Sequence, residues 1–504
     1  MNSVFKILTG LCAVMTISSC SKFLDVNKNP NAPVNENLPL SAKLPAALVS
    51  SVNQEAGQLN QLGAFWAGYW GTTSEGVNLF FKEKNYDGPA IRHQRDGIPV
   101  WENAYATLLY YQLIREQAVK ENALFYAGVA KIMQGWHFLR LVDVYNNLPF
   151  DDALQGTVHP RPRYEDGKAV YAKSVDLITA GINDVKNALP GTEAKTDDVL
   201  FNGSRVSWAR FGNTIKLRAL VRQSEAGDAA YITAEMAKIA AEGSGFLGAG
   251  EHADVNPGYL VSAGKMNPFW ETYYRNVQGA ATGNLLDLRP TQYAVDQYAS
   301  RNDPRLPQLY VALGGGYKGV LFGNPNAEEQ YNRANTSAFK GPVENGNQPG
   351  AVFKSQVQAA MLMGSFESLF LQAEAAQRGW LQGASAQLLY EEAIRESFKY
   401  MGVNGSLFSA YNSQPAVDFA QAANKIARIA EQKWLALNSI SGIEAWAEYR
   451  RLGVPAIPNS LDAPAPDARP LRLMYPETER QSNGEEAAKQ GSDNITTAPV
   501  WWDK

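Results

Sequence analysis

Cysteine is almost missing from this chain: two occur in 504 residues, Cys12 and Cys20, both before position 21. Beyond them no thiol is present to serve as a nucleophile, a disulfide partner or a metal ligand. Histidine is nearly as scarce. His93, His137, His159 and His252 share no ligand spacing such as i, i+4, so neither a metal centre nor any other cofactor is expected. His137, beside Trp136, reads as a helix-packing residue. No G-x-S-x-G elbow occurs, and Gly314-Gly315-Gly316 lacks the Lys-Ser/Thr that a phosphate cradle needs. The net charge is only −4 and no basic tract is present, which argues against a nucleic-acid partner. No apolar run approaches the roughly 20 residues that span a bilayer.

What the N-terminus does contain is a processing pattern. Lys6 precedes a run from Ile7 to Ile17 that is apolar except for Thr9, Gly10 and Thr16, and small residues then lead into polar sequence. A run of that length fits a secretory signal core of about 7–15 residues better than a buried helix. Ile17-Ser18-Ser19-Cys20 resembles the bacterial lipobox, in which the cysteine thiol is acylated and becomes the new N-terminus. Residues 1–19 are thus expected to be a lipoprotein signal peptide and Cys20 the lipidation site. Cys12 would leave with the signal, so a Cys12–Cys20 bridge fits the count but not the processing. Several acyl chains, at about 0.8 kcal/mol per buried methylene, would tether the protein without spanning the membrane. Residues 20–35, with the Pro/Asn-rich SKFLDVNKNPNAP, read as a spacer. The first carboxylate after Cys20 is Asp25, so an acidic export signal is thin.

Downstream, helical periodicity dominates. Phe125, Val129, Ile132, Trp136 and Leu139 mark one apolar face across 123–142, and Tyr171, Val175, Ile178, Ile182, Val185 and Leu189 another across 168–189. Similar spacing recurs at Trp208–Ala219, Tyr390–Met401 and Ile426–Leu437. Three pairs with short turns, 101–119/123–142, 206–224/229–242 and 367–378/385–401, match helix hairpins of the tetratricopeptide kind. The expected class is mainly α: residues 36–504 form one domain, with a helical scaffold at 36–243 and 366–452. The stretch 244–365 is rich in Gly and Pro, loses helical period, and is expected to form an irregular ligand-binding face. A Pro-rich tail follows from 455 to 504.

Aromatic residues make up 11% of the chain, more than packing alone requires. In GAFWAGYWG (63–71), helix-core packing is the favoured role, whereas NPFWETYYR (267–275) lies in the irregular segment, where rings could stack on sugars or peptide side chains. Chemistry and loop position nominate Trp70, Asn78, Trp270, Tyr273, Tyr274 and Arg275 as ligand-binding candidates. No catalytic residue is nominated. A glycosidase would need only two carboxylates about a cleft, and Glu367 and Glu374 sit on one helix, but ion pairing on a helix surface is their expected role.

Several segments together resemble the SusD/RagB family of outer-membrane nutrient-binding lipoproteins, in particular its SusD-like branch in Bacteroidota. They are the lipobox with FLDVNKNPNAP, WHFLRLVDVYNNLPFDDAL (136–154), WARFGNTIKLRALVR (208–222), NDPRL (302–306), SFESLFLQAEAAQRGW (365–380), QKWLALNSISGIEAWAEYRRLGVP (432–455) and LRLMYPETER (471–480). In the 432–455 segment the tryptophans and Arg450-Arg451 look structural. The resemblance implies a helical body with tetratricopeptide-like pairs and no enzymatic activity. It also implies a partnership with a SusC-like TonB-dependent transporter, with the helices facing that partner and the loop face holding an oligosaccharide or peptide. Surface exposure on the outer membrane follows as the expected location. A lipoprotein glycoside hydrolase on a helical frame and a periplasmic adaptor are the competing readings.

Overall fold

The structure, a computed structural model, describes residues 38–503. The expectations for the signal peptide, for Cys20 and for the whole of the spacer lie outside the described residues. Eleven of the described helices carry the argument. They are α1 (Leu40–Gln54), α2 (Asn60–Trp66), α3 (Val100–Lys120), α4 (Leu124–Tyr145), α5 (Gly167–Asn187), α6 (Arg205–Arg222) and α7 (Ala229–Glu242), then α8 (Ser365–Gln377), α9 (Ala386–Tyr400), α10 (Lys425–Leu437) and α11 (Gly442–Leu452). A π turn at Glu55–Leu59 joins α1 to α2.

Local chemistry sets many of these boundaries. The side chains of Asp166, Ser204, Asp228, Ser385 and Asn424 accept N–H groups at the starts of α5, α6, α7, α9 and α10. Gly243 (φ 82°) and Gly453 (φ 67°) end α7 and α11 in the left-handed conformation that glycine enters freely. The three expected hairpins are present as α3/α4, α6/α7 and α8/α9.

One expectation needs correcting. The spacing across 123–142 predicts a single apolar face, yet nearly the whole of α4 is buried, including Gln134, His137, Arg140 and Asp143. The helix runs through the middle of the scaffold with α3, α5 and α6 packed around it. Its closest approach to α5 is at two glycines: a Cβ on Gly128 would stand 2.6 Å from the Gly181 carbonyl oxygen. His137 packs as expected. Its Nε2 lies 2.8 Å from Ser51 Oγ, and burial, then the charge of Arg140, lower its pKa to about 3, so it is neutral at physiological pH.

The scaffold interior also holds a network of ion pairs. Glu444 of α11 accepts from Arg140 Nη1 at 2.6 Å, lies 3.2 Å from Arg218 Nη1 and pairs with Arg222. Arg140 forks onto Glu55 at 2.9 and 3.0 Å. Arg451 is clamped by Glu374 at 2.6 and 2.7 Å and by Glu448 at 2.7 Å. Glu367 and Glu374 therefore do form ion pairs, but inside the protein: both are buried, with Glu367 3.5 Å from Arg218. Most of α8 is buried, apolar and acidic residues alike, and Arg218 and Arg451 reach its two carboxylates from α6 and α11. Arg450 and Arg451 are structural, as the resemblance implies; Arg450 donates to the carbonyls of Leu471 and Asp143.

Four short strands order the 244–365 segment, one pair fastening it to the rest and the other joining its own two ends. Strand β1 (Trp70–Thr72) pairs antiparallel with β3 (Leu288–Pro290), Trp70 opposite Pro290, and β2 (Ala253–Val255) pairs with β4 (Ala360–Met363). Between them lie short helices such as Pro268–Tyr273 and Gln292–Ala299, so the segment is irregular yet fixed.

Candidate functional site

The Pro268–Tyr273 helix begins where Asn267 accepts the Trp270 N–H at 3.0 Å and Pro268 supplies a preset φ. This turn drives its rings inward. Trp270, Tyr273 and Tyr274 are all buried; Tyr274 stacks on Phe353 with centroids 4.8 Å apart, and Trp270 meets Tyr274 edge-on at 4.6 Å. Trp70 is 1% exposed, edge-on to Tyr273 at 5.1 Å and to Phe339 at 5.9 Å, and its Nε1–H donates to Ser439 Oγ at 2.8 Å. Four of the six nominated side chains thus stand beneath the loop face, packed on one another. An aromatic-rich loop segment has a core of its own to fill, and these rings fill it.

Arg275 is half-buried and pairs with Glu344 at 2.8 Å. Tyr274 donates to the same carboxylate at 2.7 Å and accepts from the Val343 N–H at 3.0 Å. Burial, followed by the Glu344 hydrogen bond, pushes the Tyr274 phenol up to about 12. Together the two residues hold the 341–345 turn against the 275–281 hairpin.

Asn78 alone among the six stands fully on the surface. It belongs to a loop, 73–81, that is braced from three sides. Thr73 Oγ1 donates to Asp287 at 2.6 Å, Arg333 forks onto Asp287 at 2.8 and 2.8 Å, and Glu75 accepts the Arg333 N–H at 3.0 Å. Gly76 is obligatory at this closeness, since a Cβ would fall 2.7 Å from that of Asp287. Lys84 braces the loop from below, donating to the Val77 carbonyl at 2.6 Å and to Thr72 at 3.0 Å, and burial lowers its pKa to about 8.

Residues that sequence reasoning missed crown this loop. Phe80, left-handed at φ 53°, turns its ring onto Phe65, while Phe81 remains 45% exposed beside Leu79 and Asn78. Leu286, next to Asp287, is exposed as well. The only sequence signal was two consecutive phenylalanines after a leucine, which a buried strand or helix would also produce. The resulting ledge offers one aromatic face, small apolar flanks and the exposed Asn78 amide on a braced backbone. It can bind a ligand with both apolar and hydrogen-bonding faces. Among the described residues no cluster of His, Cys, Asp and Glu could hold a metal ion, and no helix is long and apolar enough to cross a membrane.

Comparison with known proteins identifies this fold. No curated protein matches the sequence. Solved structures do. A SusD homolog from Bacteroides fragilis is 19% identical with a TM-score of 0.74, covering 92% of this chain and 100% of its own. One from Bacteroides uniformis is 19% identical with a TM-score of 0.72 over 92% and 99%. A chitin-binding SusD homolog from Flavobacterium johnsoniae is 22% identical with a TM-score of 0.73 over 92% and 98%. At such identities these likenesses establish the fold, a mainly helical SusD-like architecture. The family model described as "Starch-binding associating with outer membrane" matches residues 34–476. With that match spanning most of the sequence, the chain belongs to the SusD-like family of nutrient-binding proteins associated with the outer membrane.

Proposed function

We propose that this protein is a non-catalytic, surface-held receptor that captures an oligosaccharide and passes it to a SusC-like TonB-dependent transporter, tethered to the outer membrane through acylated Cys20. The observation that carries the reading is the braced ledge, where Phe81 and Asn78 stand exposed on a loop that the fold goes to some length to immobilise. An exposed ring on a preorganised loop suits a sugar's apolar face, and Asn78 suits its hydroxyls. The family description and the chitin-binding relative support a glycan as ligand. In this reading Asn78 touches ligand, whereas Trp70, Trp270, Tyr273, Tyr274 and Arg275 support the platform.

Calorimetric titration against starch, chitin and other oligosaccharides, with peptides alongside, tests it. Saturable binding without product release is expected, and Phe81→Ala weakens it about threefold to tenfold, the factor that a ring contact of about 0.5–1.5 kcal/mol supplies. Binding to peptides alone would replace the ligand class, and release of shortened glycan would establish a hydrolase instead. Crosslinking on intact cells should trap an outer-membrane barrel; its absence would remove the transporter from the proposal.

A further inference from the structure

Helices that pack in a scaffold usually meet along an apolar seam, but α1 and α3 meet along a polar one. Ser50 Oγ lies 2.7 Å from Thr107 Oγ1, and Gln54 Nε2 donates to the Asn103 carbonyl at 3.0 Å and to Thr107 Oγ1 at 2.5 Å. These contacts satisfy the inner row. The polar row then continues outward past what packing needs. Asn103 Nδ2 donates to Gln58 Oε1 at 3.0 Å, and Asn53 stands exposed beside them.

Ser50, Gln54 and Gln58 follow one another at i, i+4 and i+8 and so share one face, and the winding changes beside them at 55–59, with Gly57 at φ −95° and ψ −106°. A Cβ on Gly57 would meet nothing within 4 Å, so the space above the turn is open. The result is a groove of about 390 Å3 lined by Ser50, Asn53, Gln54, Gln58, Asn103 and Tyr110. Tyr110 is 48% exposed and supplies the single aromatic face.

The lining side chains are uncharged, which favours a neutral polar ligand. With Gln54 Nε2 and Asn103 Nδ2 held by the internal contacts, the exposed Asn53 amide and the Gln58 Nε2 donor face the groove, the complement of adjacent hydroxyls, and the Tyr110 ring offers a surface for the apolar side of a pyranose. The volume lies in the range of small-ligand sites. We propose that this groove is a second binding site for neutral sugar residues, formed on the helical scaffold rather than on the loop face. It rests on the glycan reading of the protein for its ligand class, but on none of the ledge residues.

The test titrates the whole protein, wild type and variants, with maltoheptaose and chitohexaose, following binding by saturation-transfer NMR and calorimetry. Wild type should bind two equivalents per chain; Phe81→Ala should weaken one event severalfold and leave the other unchanged, and adding Tyr110→Ala with Asn53→Ala should weaken that other event at least tenfold. Both added positions are solvent-exposed, and circular dichroism with an unchanged melting temperature verifies that the triple variant is folded. A single binding event in wild type, weakened by Phe81→Ala, would overturn the second site and leave the first intact. A second event that stays within twofold of unchanged once Tyr110→Ala and Asn53→Ala are added would overturn it too. No binding of any glycan by wild type would refute both readings together.

Discussion

Glu444 is the residue on which the scaffold depends most sharply, and Glu444→Gln tests why. The substitution keeps the shape and removes one charge from a fully buried carboxylate that faces Arg140, Arg218 and Arg222. With an effective dielectric of about 20, one charge pair at about 3 Å attracts by about 5 kcal/mol. Three such arms are offset by desolvation and by repulsion among the arginines, so the net loss is about 3–5 kcal/mol, the usual result of stranding a buried partner. Burial by itself lifts the Glu444 carboxyl, but Arg218, Arg222 and Arg140 outweigh it and hold the group well below the ordinary range. Its stabilisation is therefore complete above the unfolded pKa near 4.5 and fades as pH falls through the lower folded value. Glu367 moves the other way: burial, then the neighbouring Glu444 charge, raises it. Removing Glu444 takes a like charge away from Glu367, so the two sites are coupled and Glu444→Gln with Glu367→Gln should depart from the sum of the two single costs. Urea unfolding at pH 7 reads this directly. With m at or above about 3 kcal/mol/M for a chain of this size, the midpoint should fall by about 1 M. Glu485→Gln, on an exposed turn, serves as the control and should change stability by no more than about 0.5 kcal/mol. A Glu444→Gln shift of less than about 0.3 M, or one that grows as the pH is lowered below 4.5, would refute the account.

Three further outcomes are expected. Gly442→Ala forces a Cβ to within 2.4 Å of the Ala64 nitrogen where α11 crosses α2, and should destabilise by about 1–3 kcal/mol or more in the same urea assay. Gly76→Ala collides with Asp287 and should loosen the 73–81 loop, reducing glycan affinity severalfold while the urea midpoint moves little; an unchanged affinity would separate the brace from binding. Burial lifts the Asp254 carboxyl to about 6, with Lys354 opposing, and Asp254 Oδ1 has no hydrogen-bond partner. The folded state then holds that proton more tightly than the unfolded state, so stability falls as pH rises from about 4 to 6. Asp254→Asn should flatten this part of the pH–stability curve, and an unaltered slope would show that another group titrates there.

How much of this was legible beforehand depends on the range of the interaction concerned. Helix α5 could be read from its sequence because its apolar spacing and its Asp166 cap act within a few residues. Motifs strung along the chain carried the family for the same reason: each is a local packing unit. Phe81 was not legible, since a phenylalanine's exposure depends on what the neighbouring loops leave uncovered, and here the left-handed turn at Phe80 decides it.

The sequence by itself determined the helical class, the hairpin pairs, the loop-rich segment between them and the near absence of thiol and imidazole chemistry, because composition and periodicity are properties of the chain. Only the tertiary structure decided which side chains face out. Trp70 is closed off by Ser439, 369 residues away, and Glu444 meets Arg140 across 304 positions. Such pairings exist only once the chain has folded, and they turn nominated ligand contacts into the support of a face on which Asn78 and Phe81 remain exposed.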